Sequence, residues 1–137
     1  MPAEDVLARV PLLAGLSKRQ LKSLAKAMTN ETIEEGSQVT VEGADGNSFF
    51  VVVKGEAEVT VGDRTRGTIS DGDHFGEIAL IDGGGRSATI TTTSDKLFSF
   101  GMDSETFREF VARNPDIGWA LMRSLCERIR AAESDSD

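Results

Sequence analysis

The 137-residue chain contains one cysteine, one histidine and three prolines. A lone Cys126 excludes any disulfide within the chain and any multi-cysteine metal site. A lone His74 argues against the multi-histidine sites of metalloenzymes. The longest apolar run, Phe49 to Val53, is far too short to span a membrane. The opening Met-Pro-Ala-Glu-Asp lacks the apolar core of an export signal. Cations are also in the minority, with 15 Lys and Arg against 23 Asp and Glu and a net charge of −8. Such a chain has no general affinity for DNA, RNA or anionic lipid. The expected setting is cytoplasmic, with neither nucleic acid nor membrane as partner. What is present is 39 % apolar and 28 % charged, the balance of a folded chain. Its length suits one domain that buries roughly two-thirds of its unfolded surface.

Residues 1–30 read as helical. Ser17 with Gln20 three positions on forms a capping-box pattern, and Leu16 and Leu21 flank it as a staple. Leu21, Leu24, Ala25 and Met28 then recur at helical spacing. Residues 31–102 change character. Short β-rich runs, 37–41, 48–53, 57–61, 66–69, 87–93 and 96–100, are punctuated by glycine. Many short strands with no long helix between them predict a sandwich or barrel and disfavour a parallel sheet. Residues 103–133 return to helix. Asp103 or Ser104 caps a segment with Phe107, Phe110 and Val111 on its apolar face, and Asn114-Pro115 ends it and opens another. Ile117, Leu121, Met122, Leu125 and Ile129 are expected to form one packing stripe, with Trp119 also on a packing face. Cys126 reads as a small buried apolar residue. The last helix is expected to stop near residue 132, and 134–137 to be a disordered acidic tail.

The stretch that carries chemistry is Gly72 to Ile90. Gly76-Glu77-Ile78-Ala79-Leu80 reads as one short helical turn opened by glycine, whose first N–H groups lack partners within the helix. Such an end favours anions, phosphate above all. Gly83-Gly84-Gly85 permits a tight turn. Arg86 follows with a planar fork matched to phosphate oxygens, and Ser87 adds a hydroxyl. Glu77 is wrong for a pure phosphate site, but a carboxylate accepts strongly from a sugar hydroxyl. The implied ligand is a phosphate fused to, or beside, a ribose.

Phe75-Gly-Glu-Ile-Ala-Leu-Ile81, a short gap, and Arg86-Ser-Ala-Thr-Ile90 resemble the phosphate-binding cassette of cyclic nucleotide-binding domains. Val10-Pro-Leu-Leu13, Glu42-Gly43, Lys54-Gly55, Gly72-Asp73 and Asn114-Pro115 resemble the same family's flanking elements, so the likeness covers nearly the whole chain. The nearest flavours are the catabolite-activator sensor domain and the sensor domains of bacterial cyclic-nucleotide-gated channels. The resemblance implies a mainly β fold, an antiparallel double-stranded β-helix or jelly-roll barrel with helices at both ends. It implies that Glu77 binds the ribose 2′-hydroxyl, with Gly76 permitting close approach. Arg86 and Ser87 would hold the cyclic phosphate, helped by the N–H groups of Ile78, Ala79 and Ala88. Arg128 would cap the base. The implied function is reversible binding of a 3′,5′-cyclic purine nucleotide, with cAMP favoured over cGMP because Ser87 follows Arg86. Neither catalysis nor a cofactor is implied. The terminal helices would respond, with an effector protein or a second copy meeting residues 115–132, and no effector domain would be attached.

Other readings remain open on the residues alone. The same fold with a degenerate site would act as a protein interaction module. Asp71 to Asp82 mimics a calcium loop, but Phe75 and Asp82 stand where ligands belong and no helix precedes it. His74 with Glu77 resembles a fragment of a cupin metal site, for which one histidine is too few.

Overall fold

The computed structural model describes residues 2–44 and 46–135. At the N-terminus, α1 (Ala3–Leu7) and a 3-10 turn (Pro11–Leu13) lead to α2 (Lys18–Ala27). The capping box forms. Gln20 N–H donates to Ser17 Oγ at 3.2 Å, and Ser17 N–H donates to Gln20 Oε1 at 2.8 Å. Leu21 and Leu24 are buried and Leu16 packs against the same core.

Eight strands follow: β1 (Thr29–Glu34), β2 (Gln38–Thr40), β3 (Ser48–Lys54), β4 (Ala57–Val61), β5 (Arg64–Ile69), β6 (His74–Phe75), β7 (Thr89–Thr92) and β8 (Lys96–Asp103). A short α3 (Glu77–Asp82) lies between β6 and β7, and α4 (Ser104–Arg113) and α5 (Pro115–Asp135) close the chain. The strands form two four-stranded sheets, β1-β8-β3-β6 and β2-β7-β4-β5, with every pairing antiparallel. The expected antiparallel architecture with helices at both ends is present, but as two sheets and not one closed barrel. β6 pairs with β3 only at Phe50–Phe75 and Val51–His74, and the chain turns away at Gly76 before it can bridge the sheets.

The run Phe49–Val53 is explained by its place in β3. Side chains alternate across a strand. Phe49 and Val51 face a core of helices, with Leu7, Leu24, Leu80, Phe107 and Leu121. Phe50 and Val52 face the space between the sheets, with Ala57, Ile69, Phe75, Ile90 and Leu97. A strand covered on both sides reads as continuous apolar sequence. Aromatic contacts mark both cores: Phe49 meets Phe107 with ring centres 5.0 Å apart, and Phe50 stacks on Phe75 at 4.9 Å.

Several boundaries differ from expectation. β1 carries no apolar alternation, since only Ile33 of its six residues is partly buried. It is held by its ladder to β8, Thr29 opposite Gly101 through Glu34 opposite Lys96. β7 is shorter than 87–93, so Ser87 and Ala88 lie in the loop before it. At the other end, α4 is capped by Asp103, whose Oδ1 accepts from Thr106 N–H at 2.8 Å. That bond holds the Asp103 carboxyl below its ordinary pKa. Pro115 opens α5 as predicted, and Asn114 Nδ2 donates to Phe110 O at 2.9 Å.

The expected stripe on α5 is only half a stripe. Ile117 and Leu121 are buried, but Trp119, Met122 and Ile129 are exposed, as is Cys126. Beyond Leu121 the inward side of the helix, Ser124 and Arg128, faces a cavity and not a core. α5 also runs on to Asp135, so residues 134 and 135 of the expected tail are helical, and 136–137 lie outside the described residues. Among the described residues no helix is long and apolar enough to cross a membrane.

Replacing Ser17 by Ala removes an N-cap acceptor and half the capping box. The expected outcome is a loss of about 1 kcal/mol, read as a lower urea midpoint at unchanged slope.

Candidate functional site

β6 delivers the chain to Gly76, whose φ of 96° lies in the left-handed region that side chains rarely adopt. A Cβ there would stand 2.6 Å from Ser48 O and 2.9 Å from Arg86 Nη1, so the position requires glycine for space as well as torsion. α3 starts at Glu77. Its first turn, Arg86 to Ala88, Ile90 and the inner side of α5 line a cavity of about 460 Å³. Gly76, Glu77, Ile78, Ala79, Arg86, Ser87, Ala88 and Arg128 all line it, so every site residue expected from sequence is brought to one place. The volume lies within the range of small-molecule sites.

Arg86 is buried, with 8 % of its surface exposed. Nη1 donates to Gly76 O at 3.0 Å and Nη2 to Ser48 O at 2.8 Å. Arginine carries five N–H donors, so this tether leaves others for a ligand. Burial pushes the guanidinium pKa down and the Glu77 charge pushes it back up; the group keeps its proton. Ser87 is exposed at the rim.

Glu77 is the most deeply buried of these groups, with 1 % exposed. Neither carboxylate oxygen accepts a hydrogen bond. Arg128 Nη1 reaches across from α5 to within 2.9 Å of Oε1, an ion pair whose alignment falls short of a hydrogen bond. The expectation for Arg128 was a contact to a base. Here it faces the same cavity but rests on Glu77. Oε2 has no partner of either kind, and a buried carboxylate oxygen left unmatched is costly. It is an acceptor awaiting a donor.

A model of the cyclic nucleotide-binding domain family matches residues 30–114. The chain belongs to this family. A cGMP-dependent protein kinase of Eimeria tenella is 37 % identical over 129 residues, which span 94 % of this chain and 13 % of the kinase. A cAMP-dependent protein kinase regulatory subunit of Yarrowia lipolytica is 39 % identical over 103 residues, 73 % of this chain and 28 % of that protein. Among solved structures, the Thermus thermophilus catabolite activator protein superposes with a TM-score of 0.84 at 24 % identity, covering 93 % of this chain and 62 % of that one. The regulatory domain of Toxoplasma gondii PKA, crystallised with cAMP, superposes with a TM-score of 0.82 at 21 % identity, covering 91 % and 49 %. This cyclic nucleotide-binding domain therefore spans a small fraction of its kinase-associated relatives.

Three features of the domain's site escape the sequence. His74 lines the cavity, partly buried beside Phe49 at 6.0 Å between ring centres, with Nε2 free of hydrogen bonds and 3.8 Å from Glu77 Oε1. Burial pulls its pKa below the ordinary 6.5; Glu77 and Asp73 pull it up and Arg128 down, and burial prevails. Gly46 is the second feature. A Cβ there would stand 2.6 Å from Arg86 Nε and 2.8 Å from Ala79 Cβ. Nothing in one glycine among 14 marks it. The third is the far wall, Thr40, Val59, Ile69 and Ile90, assembled from the second sheet. Among the described residues no three His, Cys, Asp or Glu side chains are grouped to hold a metal ion.

Gly46→Ala is expected to destabilise by about 1–3 kcal/mol through overpacking against Arg86, measured by urea unfolding. His74 makes a pH prediction. Its native pKa is below that of the unfolded chain, so stability is complete above the ordinary value of 6.5 and falls as pH drops below it. His74→Gln should flatten that decline between roughly pH 7 and pH 5, compared in parallel urea titrations.

Proposed function

We propose that this domain reversibly binds a 3′,5′-cyclic purine nucleotide, with cAMP preferred over cGMP, and acts as a sensor and not as a catalyst. One observation carries the reading: Glu77, 1 % exposed and with both oxygens free of hydrogen bonds, sits in the same cavity as the buried Arg86. A ribose 2′-hydroxyl supplies the donor that Glu77 lacks. The cyclic phosphate takes the remaining N–H groups of Arg86, the Ser87 hydroxyl and the N–H groups of Ile78, Ala79 and Ala88. Gly76 lets the sugar approach. The purine lies between the second sheet and Arg128. Among the relatives, a cAMP-dependent kinase regulatory subunit supports cAMP and a cGMP-dependent kinase supports cGMP. Ser87 beside Arg86 favours the former. A signalling nucleotide of this kind places the domain in the cytoplasm.

Sensing follows from the Glu77–Arg128 pair. A ribose on Glu77 changes what holds Arg128, and α5 is the element that can shift. A ligand moves that balance only by its difference in affinity for the two positions. The output passes through residues 115–132 to an effector protein or a second copy.

Calorimetric titration with cAMP, cGMP and 2′-deoxy-cAMP tests this. Wild type is expected to bind cAMP at micromolar or tighter dissociation constants. Arg86→Ala removes two or more charge-assisted bonds worth roughly 1.5–3 kcal/mol each, so affinity should fall at least about 100-fold. Arg86→Lys keeps charge but loses the fork and should recover only part of it. The 2′-deoxy analogue should bind about tenfold or more weakly. Equal binding of cAMP and its 2′-deoxy analogue removes the role given to Glu77. No heat with any nucleotide leaves an interaction module on the same fold.

A further inference from the structure

We propose that His74 and Arg128 are alternative partners of Glu77, and that one proton on His74 transfers its carboxylate from α5 to β6. The two side chains approach the same atom. Arg128 Nη1 stands 2.9 Å from Glu77 Oε1 and His74 Nε2 stands 3.8 Å from it. Neither His74 Nε2 nor the carboxylate has a hydrogen bond. A lone pair on Nε2 would repel the carboxylate, so the ring presents an N–H there. Protonation keeps that N–H and adds a full charge beside Glu77.

The groups around His74 divide into two camps. Glu77 and, more weakly, Asp73 favour the charged ring, whereas burial and Arg128 oppose it. Coupling is reciprocal, so a proton that Arg128 disfavours on His74 in turn disfavours Arg128 on Glu77. The other neighbours take no side. Val51 lies opposite His74 in the β3 ladder and Phe49 lies beside its ring, both apolar. Asp73 already accepts from Ser70 N–H at 2.9 Å. Arg86 meets the Glu77 charge within the cavity, and Arg66 of β5 lines the cavity from the second sheet, exposed.

Which partner yields follows from what holds each. His74 is fixed on β6, with 13 % of its side chain exposed. The Arg128 side chain is 48 % exposed and withdraws into water at little cost to itself. What keeps it in place is Glu77, because a buried carboxylate stripped of its counter-charge is costly. A charged His74 supplies that counter-charge and frees Arg128. With His74 neutral, the Glu77–Arg128 pair ties α5 to α3; with His74 charged, the tie passes to β6 and the Ser124–Arg128 side of α5 is released from the cavity. For the ligand, the inference rests on the reading of Glu77 as the ribose acceptor. An imidazolium fixed on a strand is harder for a 2′-hydroxyl to displace than a half-exposed arm, so the site's demand for that hydroxyl weakens in acid.

His74 is the only histidine, so its ring proton signals in the intact chain report this group alone. Their pH titration is expected to show a midpoint below 6.5 in wild type. Arg128→Gln, which removes the rival charge, should raise that midpoint by about half a pH unit or more. Arg128→Lys should stay near wild type. In wild type, the nuclear Overhauser contact between the Arg128 and Glu77 side chains should fade through the His74 midpoint. A midpoint unmoved by Arg128→Gln shows that both cations share the carboxylate and overturns the proposal. Should that variant not fold, the wild-type contact decides: its persistence through the midpoint overturns the proposal as well, as does acid unfolding before His74 titrates. Calorimetry on the same samples compares cAMP with 2′-deoxy-cAMP above and below the midpoint. The preference for cAMP should fall about threefold or more in acid, and should not vary with pH in His74→Gln. Absence of binding by either nucleotide counts against the ribose reading alone, because the titration and the contact judge the rivalry without a ligand.

Discussion

The guanidinium of Arg86 holds two carbonyls from separate parts of the chain, Ser48 at the head of β3 and Gly76 at the turn into α3. Its backbone ties a third. Arg86 N–H donates to Ala44 O at 2.8 Å, and Gly43 N–H donates to Arg86 O at 2.9 Å. One residue thus joins the loop before β3, the start of β3 and the start of α3. The joint tolerates no Cβ at Gly76 or Gly46, and at Gly85 a Cβ would stand 2.8 Å from Gly43 O. A charged donor to a carbonyl is stronger than a neutral one. A guanidinium this buried also requires such acceptors.

Glu77 follows from that joint. The left-handed turn at Gly76 starts α3 with its first side chain pointing inward, beside the positive charge of Arg86 and under Arg128 of α5. The pairing is unequal. Glu77 is almost fully buried, whereas the Arg128 side chain is 48 % exposed. Removing Arg128 would leave the buried Glu77 charge uncompensated, a costly change, and the pair puts α5 in contact with the chemistry of the pocket. One side of that helix, with Ser124 and Arg128, faces the cavity, and another, with Trp119, Met122 and Ile129, lies in solvent.

Much of this was legible in order of residues. The pairing of Gly76-Glu77 with Arg86-Ser87 pointed to phosphate plus sugar hydroxyl, and all the residues named there line one cavity. The caps at Ser17 and Asp103 and the proline opening of α5 were equally plain. β1 was not, because an edge of Thr, Asn and Glu shows no alternation; the backbone ladder to β8 supplies what side chains do not. Cys126 and Met122 read as inward-facing but lie in solvent, because helical spacing alone cannot tell which of two apolar sides meets a core. His74 with Glu77 reads as a fragment of a metal site with too few ligands; only the fold places it on the cavity wall beside Phe49 and Glu77.

The division has a physical cause. Caps, turns and the short helix at Glu77 depend on groups within a few residues of one another, so composition and spacing determined them. So did the family of the site, because its chemistry is concentrated between Gly76 and Arg86. Pairings across the chain were decided only by the tertiary structure: β1 with β8, Ser48 and Gly76 on one guanidinium, and Arg128 on Glu77 from 51 residues away (128 minus 77). Whether an apolar helix face ends in a core, over a cavity or in water depends on what the rest of the chain stacks against it, and no local pattern carries that information.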